Sequence, residues 1–280
     1  MALVDEHPGL TKVTPRKIKG YGWRPDLPDP RDRIFNLEES ISLGSALPNK
    51  ADLGAHMPAI YDQGQLGSCT ANGIAACLEY DAIRQGEAPV MPSRLFIYYN
   101  ERVIEGDVGT DAGAQIRDGI KVVATEGVPP ESEWPYSDAN PGPFSQQPPA
   151  NAYTDAIKHE ALVYKRIVLG GPGAPIRSAV AAGYPVVFGF TVPAAFEDGS
   201  WDPTRDSLPV PGPNAQFIGG HCTVITGYDF TQTRFPHRAF KVRNSWGPSW
   251  GMNGHFWMDW GWFNPGAGLV DDMWVITKVK

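Results

Sequence analysis

A cysteine, a histidine and an asparagine lie in three separate segments whose local patterns suit nucleophilic catalysis. Cys69 follows the turn-rich stretch that runs from Gln63 to Ser68 and opens a helical pattern; the free amide groups of a helix N-terminus favour a thiolate there. His221 heads an apolar strand pattern, and its imidazole can take the thiol proton and return it to a leaving amine. Asn244 ends another strand pattern, and a neutral amide can fix a histidine tautomer without competing for its proton.

Together these segments resemble those of the papain-like cysteine peptidases. The resemblance makes Cys69 the nucleophile, His221 the general base and acid, and Asn244 the residue that orients the histidine. It also makes Gln63, six positions before the cysteine, the donor of a side-chain amide to the oxyanion hole. Trp246 falls on the tryptophan that covers the histidine and asparagine. The implied activity is peptide-bond hydrolysis; the alternatives are a peptide ligase of the same mechanism and a catalytically silent peptide-binding protein.

The resemblance also assigns the walls of a substrate cleft. Gly113 falls on the glycine whose backbone pairs with an extended polypeptide, and the missing side chain suits that close approach. Gly67 and Ser68, directly before the nucleophile, are expected to contact the substrate as well. The pocket for the second side chain of the substrate is expected to be bordered by small residues that leave room for a bulky apolar group: Gly189, Gly220 and Cys222.

Several positions depart from the family pattern. Leu66 and Thr110 stand where many members have two cysteines bonded to each other, so that disulfide is expected to be absent. Thr70 replaces the usual aromatic residue after Cys69. The histidine and asparagine lie at or beyond the usual spacing of about 130 to 150 residues from the cysteine, which a loop insertion near 198–213 would explain.

Apolar periodicity predicts the elements that must position these groups. Helices are expected from Cys69 to about Arg84 and at 93–102, 114–125 and 176–182. Strands are expected at 161–169, 185–192, 221–229, 239–244 and 254–258. The order of helices followed by strands predicts an α+β protein. The resemblance, which spans roughly 47–279, implies a two-lobed papain-like fold over 47–280. Its helical lobe would cover about 47–150 and its antiparallel, β-barrel-like lobe about 151–280, with the site in the cleft between them.

Residues 1–46 are predicted to form an extended N-terminal arm. The arm is polar and rich in prolines, each of which disfavours helix in the residue before it. It also carries apolar side chains that can dock on a surface: Tyr21, Trp23, Ile34 and Phe35. Two placements are open, one over the cleft, where the arm would inhibit the enzyme from within the chain, and one elsewhere on the domain.

Composition limits the partners. The 280 residues are 42 % hydrophobic, enough for one large globular unit or two small ones. The 24 basic and 31 acidic residues give a net charge of -7, and without a basic cluster nucleic acid is not an expected partner. The sequence contains neither a membrane span of about 18 apolar residues nor a conventional export signal, which favours a cytoplasmic location and leaves export by a non-classical route open. The chain is expected to be a monomer. The three cysteines, Cys69, Cys77 and Cys222, match no metal-binding spacing, and no cofactor is expected.

Overall fold

Helices dominate the first half of the chain and strands the second. The computed structural model describes residues 16–35, 47–169 and 173–279. Its helices are α1 (Cys69–Arg84), α2 (Arg94–Glu105), α3 (Ile116–Thr125), α4 (Ala150–Ala156), α5 (Ala174–Ala181) and α6 (Ala195–Asp198). Its strands are β1 (Trp23–Arg24), β2 (Lys50–Asp52), β3 (Ala114–Gln115), β4 (Ala161–Ile167), β5 (Val186–Pro193), β6 (Ser207–Leu208), β7 (Phe217–Asp229), β8 (Ala239–Arg243), β9 (His255–Asp259) and β10 (Val270–Val279). The α+β prediction is confirmed.

Helix α1 forms the centre of the molecule. It packs against α2 and α3 on one side and against β7 and β10 on the other, so twelve of its sixteen residues are buried. The neighbouring helix α2 has clear end signals: the Ser93 side chain accepts the Phe96 N–H, and Gly106 ends the helix in the left-handed conformation. Such caps fix where a helix begins and ends. Because α1 contacts helices on one side and strands on the other, it joins a helical lobe to a sheet lobe.

The second lobe is built on an eight-stranded sheet with the order β4-β10-β5-β7-β8-β9-β6, and β2 pairs with β7. Its neighbours are antiparallel except for β6 and β9. The long strand β7 pairs with both β5 and β8, and one face of β7 packs against α1. A separate two-stranded sheet joins β1 of the arm to β3 of the helical lobe in parallel register. The arm thus pairs with the body through backbone hydrogen bonds.

The structure corrects several predicted boundaries. The predicted helix at 114–125 begins at Ile116, because Ala114–Gln115 form the strand that pairs with the arm. Strand β7 begins at Phe217 rather than at His221, and neither β10 nor α4 was predicted.

Within the predicted insertion 198–213, the carbonyl groups of Leu208 and Pro209 accept the indole N–H of Trp262. Across the described ranges, no helix has the length and apolar character needed to cross a membrane.

Ile74→Ala should destabilise the fold by about 2–5 kcal/mol. Ile74 is fully buried in α1, and its Cδ1 reaches the α3 backbone at Gly119; truncation therefore leaves a cavity between the helices. Val103→Ala is the control, since Val103 is about half exposed on α2. The midpoint of urea unfolding measures both changes. Equal midpoints for the two variants would contradict the central position of α1.

Candidate active site

Cys69 lies where the two lobes meet. It is the first residue of α1 and is fully buried. The backbone N–H of Cys222 in β7 points at its Sγ at 3.4 Å. Ser68, the residue before the helix, places its hydroxyl 2.5 Å from that of Tyr136, which holds the turn from the side of the helical lobe. The thiol is therefore positioned by both lobes.

His221, in β7, and Asn244, directly after the end of β8, form a buried pair in the sheet lobe. His221 Nε2 lies 2.8 Å from Asn244 Oδ1, which also accepts the backbone N–H of Ser245 at 2.9 Å. Because that oxygen accepts, Nε2 must carry the proton, and the neutral ring is left with Nδ1 as an acceptor. The Trp246 ring lies 5.3 Å from the imidazole at 33° and covers the pair. Among the described residues, Nδ1 has no hydrogen-bond partner.

Gln63 is held in one orientation by two contacts. Its Nε2 donates to the carbonyl of Leu66 at 2.9 Å, and its Oε1 accepts the Ser245 hydroxyl at 2.6 Å. An amide nitrogen has two hydrogens, and the bond to Leu66 uses one of them. Ser245 thus links Gln63 to Asn244, a role that the sequence analysis missed. Its position directly after Asn244 was the available signal.

The arm runs through the cleft and covers these groups. The centre of the Tyr21 ring lies 5.6 Å from that of the His221 ring, and the two ring planes are inclined at 71°. The next residue, Gly22, accepts the N–H of Ala114 at 2.7 Å. Gly22 touches two expected wall residues: a Cβ on Gly22 would lie 1.7 Å from the carbonyl oxygen of Gly67, and one on Gly113 would lie 2.2 Å from the Gly22 oxygen. The contact requires glycine at the arm position.

Trp23 fills the expected pocket beside the histidine strand. Its indole lies against Gly189 and Gly220, where any Cβ would overlap the ring. Its Nε1 donates to Asp272 Oδ2 at 3.1 Å, an acceptor that the sequence analysis did not identify. Cys222 is fully buried, and its Sγ faces α1, where a Cβ on Gly73 would approach it to 3.3 Å.

Burial under the arm makes both proposed reactive groups neutral. It raises the pKa of Cys69 to about 12, opposed in part by the N–H groups of Cys222 and Gly22. It lowers the pKa of His221 to about 4, opposed in part by the bond to Asn244. The expected lowering of the thiol pKa at the helix N-terminus is therefore wrong for the covered state, because desolvation outweighs the helix dipole.

His221 should remain neutral down to about pH 5 in the unaltered chain. Burial lowers its pKa to about 4 from an ordinary 6.5, so His221 binds a proton less readily when the arm covers it than when the cleft is open. Protonation of His221 in acid therefore weakens the docking of the arm. NMR titration of the ring, assigned with His221→Gln, measures the pKa. A value near 6.5 in the unaltered chain would contradict the burial.

Comparisons with known proteins agree with this geometry. Residues 47–265 match the family model described as papain family cysteine protease. The chain is 37 % identical over 256 residues to an uncharacterised peptidase C1-like protein of Acanthamoeba polyphaga mimivirus, covering 89 % of this chain and 75 % of the relative. The crystal structure of xylellain, a cysteine protease from Xylella fastidiosa, superposes with a TM-score of 0.81 at 39 % identity, covering 96 % of this chain and all of that one. A procathepsin B from Trypanosoma congolense superposes with a TM-score of 0.69 at 16 % identity, covering 91 % and 85 % of the two chains.

Proposed function

Because the chain belongs to the papain family of cysteine proteases, we propose that it hydrolyses peptide bonds with Cys69 as the nucleophile and His221 as the general base and acid. Asn244 orients the imidazole. The observation that carries the assignment is the buried hydrogen bond of 2.8 Å between His221 and Asn244. His221 lies on β7, where the backbone N–H of the next residue, Cys222, points at the Cys69 thiol.

The reaction begins when the substrate replaces the arm. His221 Nδ1, held as an acceptor by the bond from Nε2 to Asn244, takes the thiol proton, and the Cys69 thiolate attacks the carbonyl carbon. The second N–H of the Gln63 amide and the backbone N–H of Cys69 stabilise the oxyanion. His221 then protonates the departing amine. A water molecule, deprotonated by the same imidazole, hydrolyses the thioester and frees the thiol.

The arm acts in this proposal as an intramolecular inhibitor. It pairs with β3 in parallel, so the Gly22 carbonyl bonds to Ala114 while the Gly22 N–H faces the thiol. Cys69 therefore meets an amide N–H of the arm rather than a carbonyl carbon, which accounts for an arm that occupies the cleft without being cut. The rest of the predicted arm, residues 1–15 and 36–46, lies outside the described residues.

Ion pairs hold the arm at both ends of the cleft. Arg16 contacts Asp62 at 2.8 Å beside the nucleophile loop. Past the nucleophile, Asp32 pairs with Arg117 at 2.5 Å and with Arg166 at 3.2 Å. Since a continuous chain passes Cys69 and extends on both sides, the cleft can hold the interior of a polypeptide. This supports an endopeptidase over an enzyme that trims chain ends.

Gly22→Ala should raise the turnover of a fluorogenic peptide by the full-length chain. The added methyl would lie 1.7 Å from the Gly67 carbonyl oxygen, a distance that the backbone can relieve only by moving the arm. Gly20→Ala is the matched control, because nothing lies within 4 Å of its Cβ. Equal rates for the two variants would show that the arm does not inhibit.

Cys69→Ala and His221→Ala should each reduce kcat/KM by at least about a thousandfold, while Asn244→Ala should only weaken turnover. The measurement uses the Gly22→Ala chain as the parent, so that the cleft is open. Cys77→Ala is the control for thiol loss, since Cys77 is buried in α1 two turns from the nucleophile. Substantial turnover by the Cys69 variant would overturn the assignment.

A further inference from the structure

The pocket that holds Trp23 is a slot for a planar group. Its walls are the backbones of Gly189 and Gly220 on the paired strands β5 and β7. A Cβ on Gly189 would lie 1.9 Å from the indole ring, and one on Gly220 would lie 2.7 Å from it. The two glycines lie on the same face of this strand pair, and their missing side chains let a flat ring lie directly against that face. The indole fills that space and is only 8 % exposed.

Asp272 places a carboxylate at the edge of this slot. The residue lies in β10, where the register with β5 shifts, and its backbone is left-handed with φ 52°. Aspartate and asparagine tolerate that conformation better than most residues. The side chain is 1 % exposed, so a buried acceptor faces the ring that occupies the pocket.

The arm supplies most of the donors to this carboxylate. Asp272 Oδ2 accepts the indole N–H of Trp23 at 3.1 Å and the backbone N–H of Asp26 at 2.7 Å. Oδ1 accepts from Arg166 at 3.1 Å. When the arm leaves, Oδ2 loses both of these partners while Arg166 stays. Water can donate to Oδ2 in the open slot, but a substrate side chain that fills the slot displaces this water. A side chain without a donor then leaves a buried acceptor unpaired, which is unfavourable, so a substrate that restores the bond is selected.

The charges around the slot favour a neutral donor over a cation. Arg166 already bonds to the carboxylate, and Arg117 lies close to the same group, where it interacts electrostatically with Asp272. The arm's carboxylates Asp26 and Asp32, which pair with Arg117, depart with the arm. An incoming cation therefore meets two guanidinium groups beside Asp272.

Arm release also favours the ionised form of Asp272. Burial first and the neighbouring Asp26 carboxylate second raise the pKa of Asp272 while the arm is docked. Departure of the arm removes Asp26 and opens the slot to water, and both changes lower that pKa. The substrate thus meets a carboxylate, which is a stronger acceptor than the protonated acid.

We propose that Asp272 is a specificity-determining residue that selects substrates whose second side chain before the scissile bond is a large planar group with an N–H donor, tryptophan above all. The inference rests on the proposed peptidase function. Trp23 then occupies the pocket in the same way as the preferred substrate side chain. It is carried by an arm that pairs in parallel with β3 and presents an amide N–H, not a carbonyl carbon, to the thiol.

A series of peptides that differ at that one position tests the proposal on the full-length Gly22→Ala chain. The key pair is tryptophan and 3-benzothienylalanine, which keeps the bicyclic shape but has sulfur in place of the N–H. The tryptophan peptide should have the higher kcat/KM by about tenfold or more, because the hydrogen bond goes to a charged acceptor. Phenylalanine and arginine peptides should also rank below it.

Asp272→Gly should bring the ratio between the two peptides close to one, and glycine suits the left-handed backbone at this position. Asp271→Asn is the control: Asp271 also contacts Arg166 but has a side chain 63 % exposed, and its variant should keep the preference. The peptide pair needs no change at Asp272, so it decides the matter even where Asp272→Gly fails to fold.

The failures of the two proposals are distinguishable. If no peptide is cleaved and an epoxysuccinyl inhibitor does not label Cys69, the peptidase function itself is wrong. If all peptides are cleaved with equal kcat/KM, or if the arginine peptide is preferred, the peptidase stands and the donor selection by Asp272 is overturned.

Discussion

The close approach of three glycine backbones determines how the arm covers the proposed catalytic groups. Gly22 lies between Gly67 and Gly113 at distances that leave no room for a side chain on the arm. With Gly22 fixed there, its neighbours have defined positions: Tyr21 lies against His221, and Trp23 enters the slot next to β7. The parallel pairing with β3 follows from the same contact and turns the arm carbonyl away from the thiol.

Water exclusion by the arm then accounts for the electrostatics. The thiol and the imidazole are both buried, which favours the neutral form of each, and His221 Nδ1 has no hydrogen-bond partner within the described ranges. The bond from His221 to Asn244 and the two contacts of Gln63 are already formed under the arm. The proposed machinery is thus largely preorganised, and opening the cleft mainly restores water and access to the thiol.

Periodicity and motifs in the sequence predicted the features that depend on short segments of the chain. Cys69 at a helix start and His221 on a strand follow from periodicity and motif, Asn244 lies one residue beyond the strand predicted to contain it, and the resemblance brought the three together. The strand β3, the whole of β10 and the role of Asp272 could not be predicted, because they depend on pairing between segments far apart in the chain. The pKa of Cys69 was expected to fall because the sequence shows the helix N-terminus that favours a thiolate. The sequence does not show that the arm buries the thiol, and this burial raises its pKa instead.

The rate at which an epoxysuccinyl peptide inhibitor modifies Cys69 tests the central claim most directly. Intact mass and peptide mapping are compared for the full-length protein and for a protein without residues 1–46. We expect a single adduct on Cys69 in both, formed slowly in the full-length protein and much faster without the arm, because removal restores water and access to the thiol. Equal rates, or an adduct on another cysteine, would contradict a nucleophile covered by its own chain.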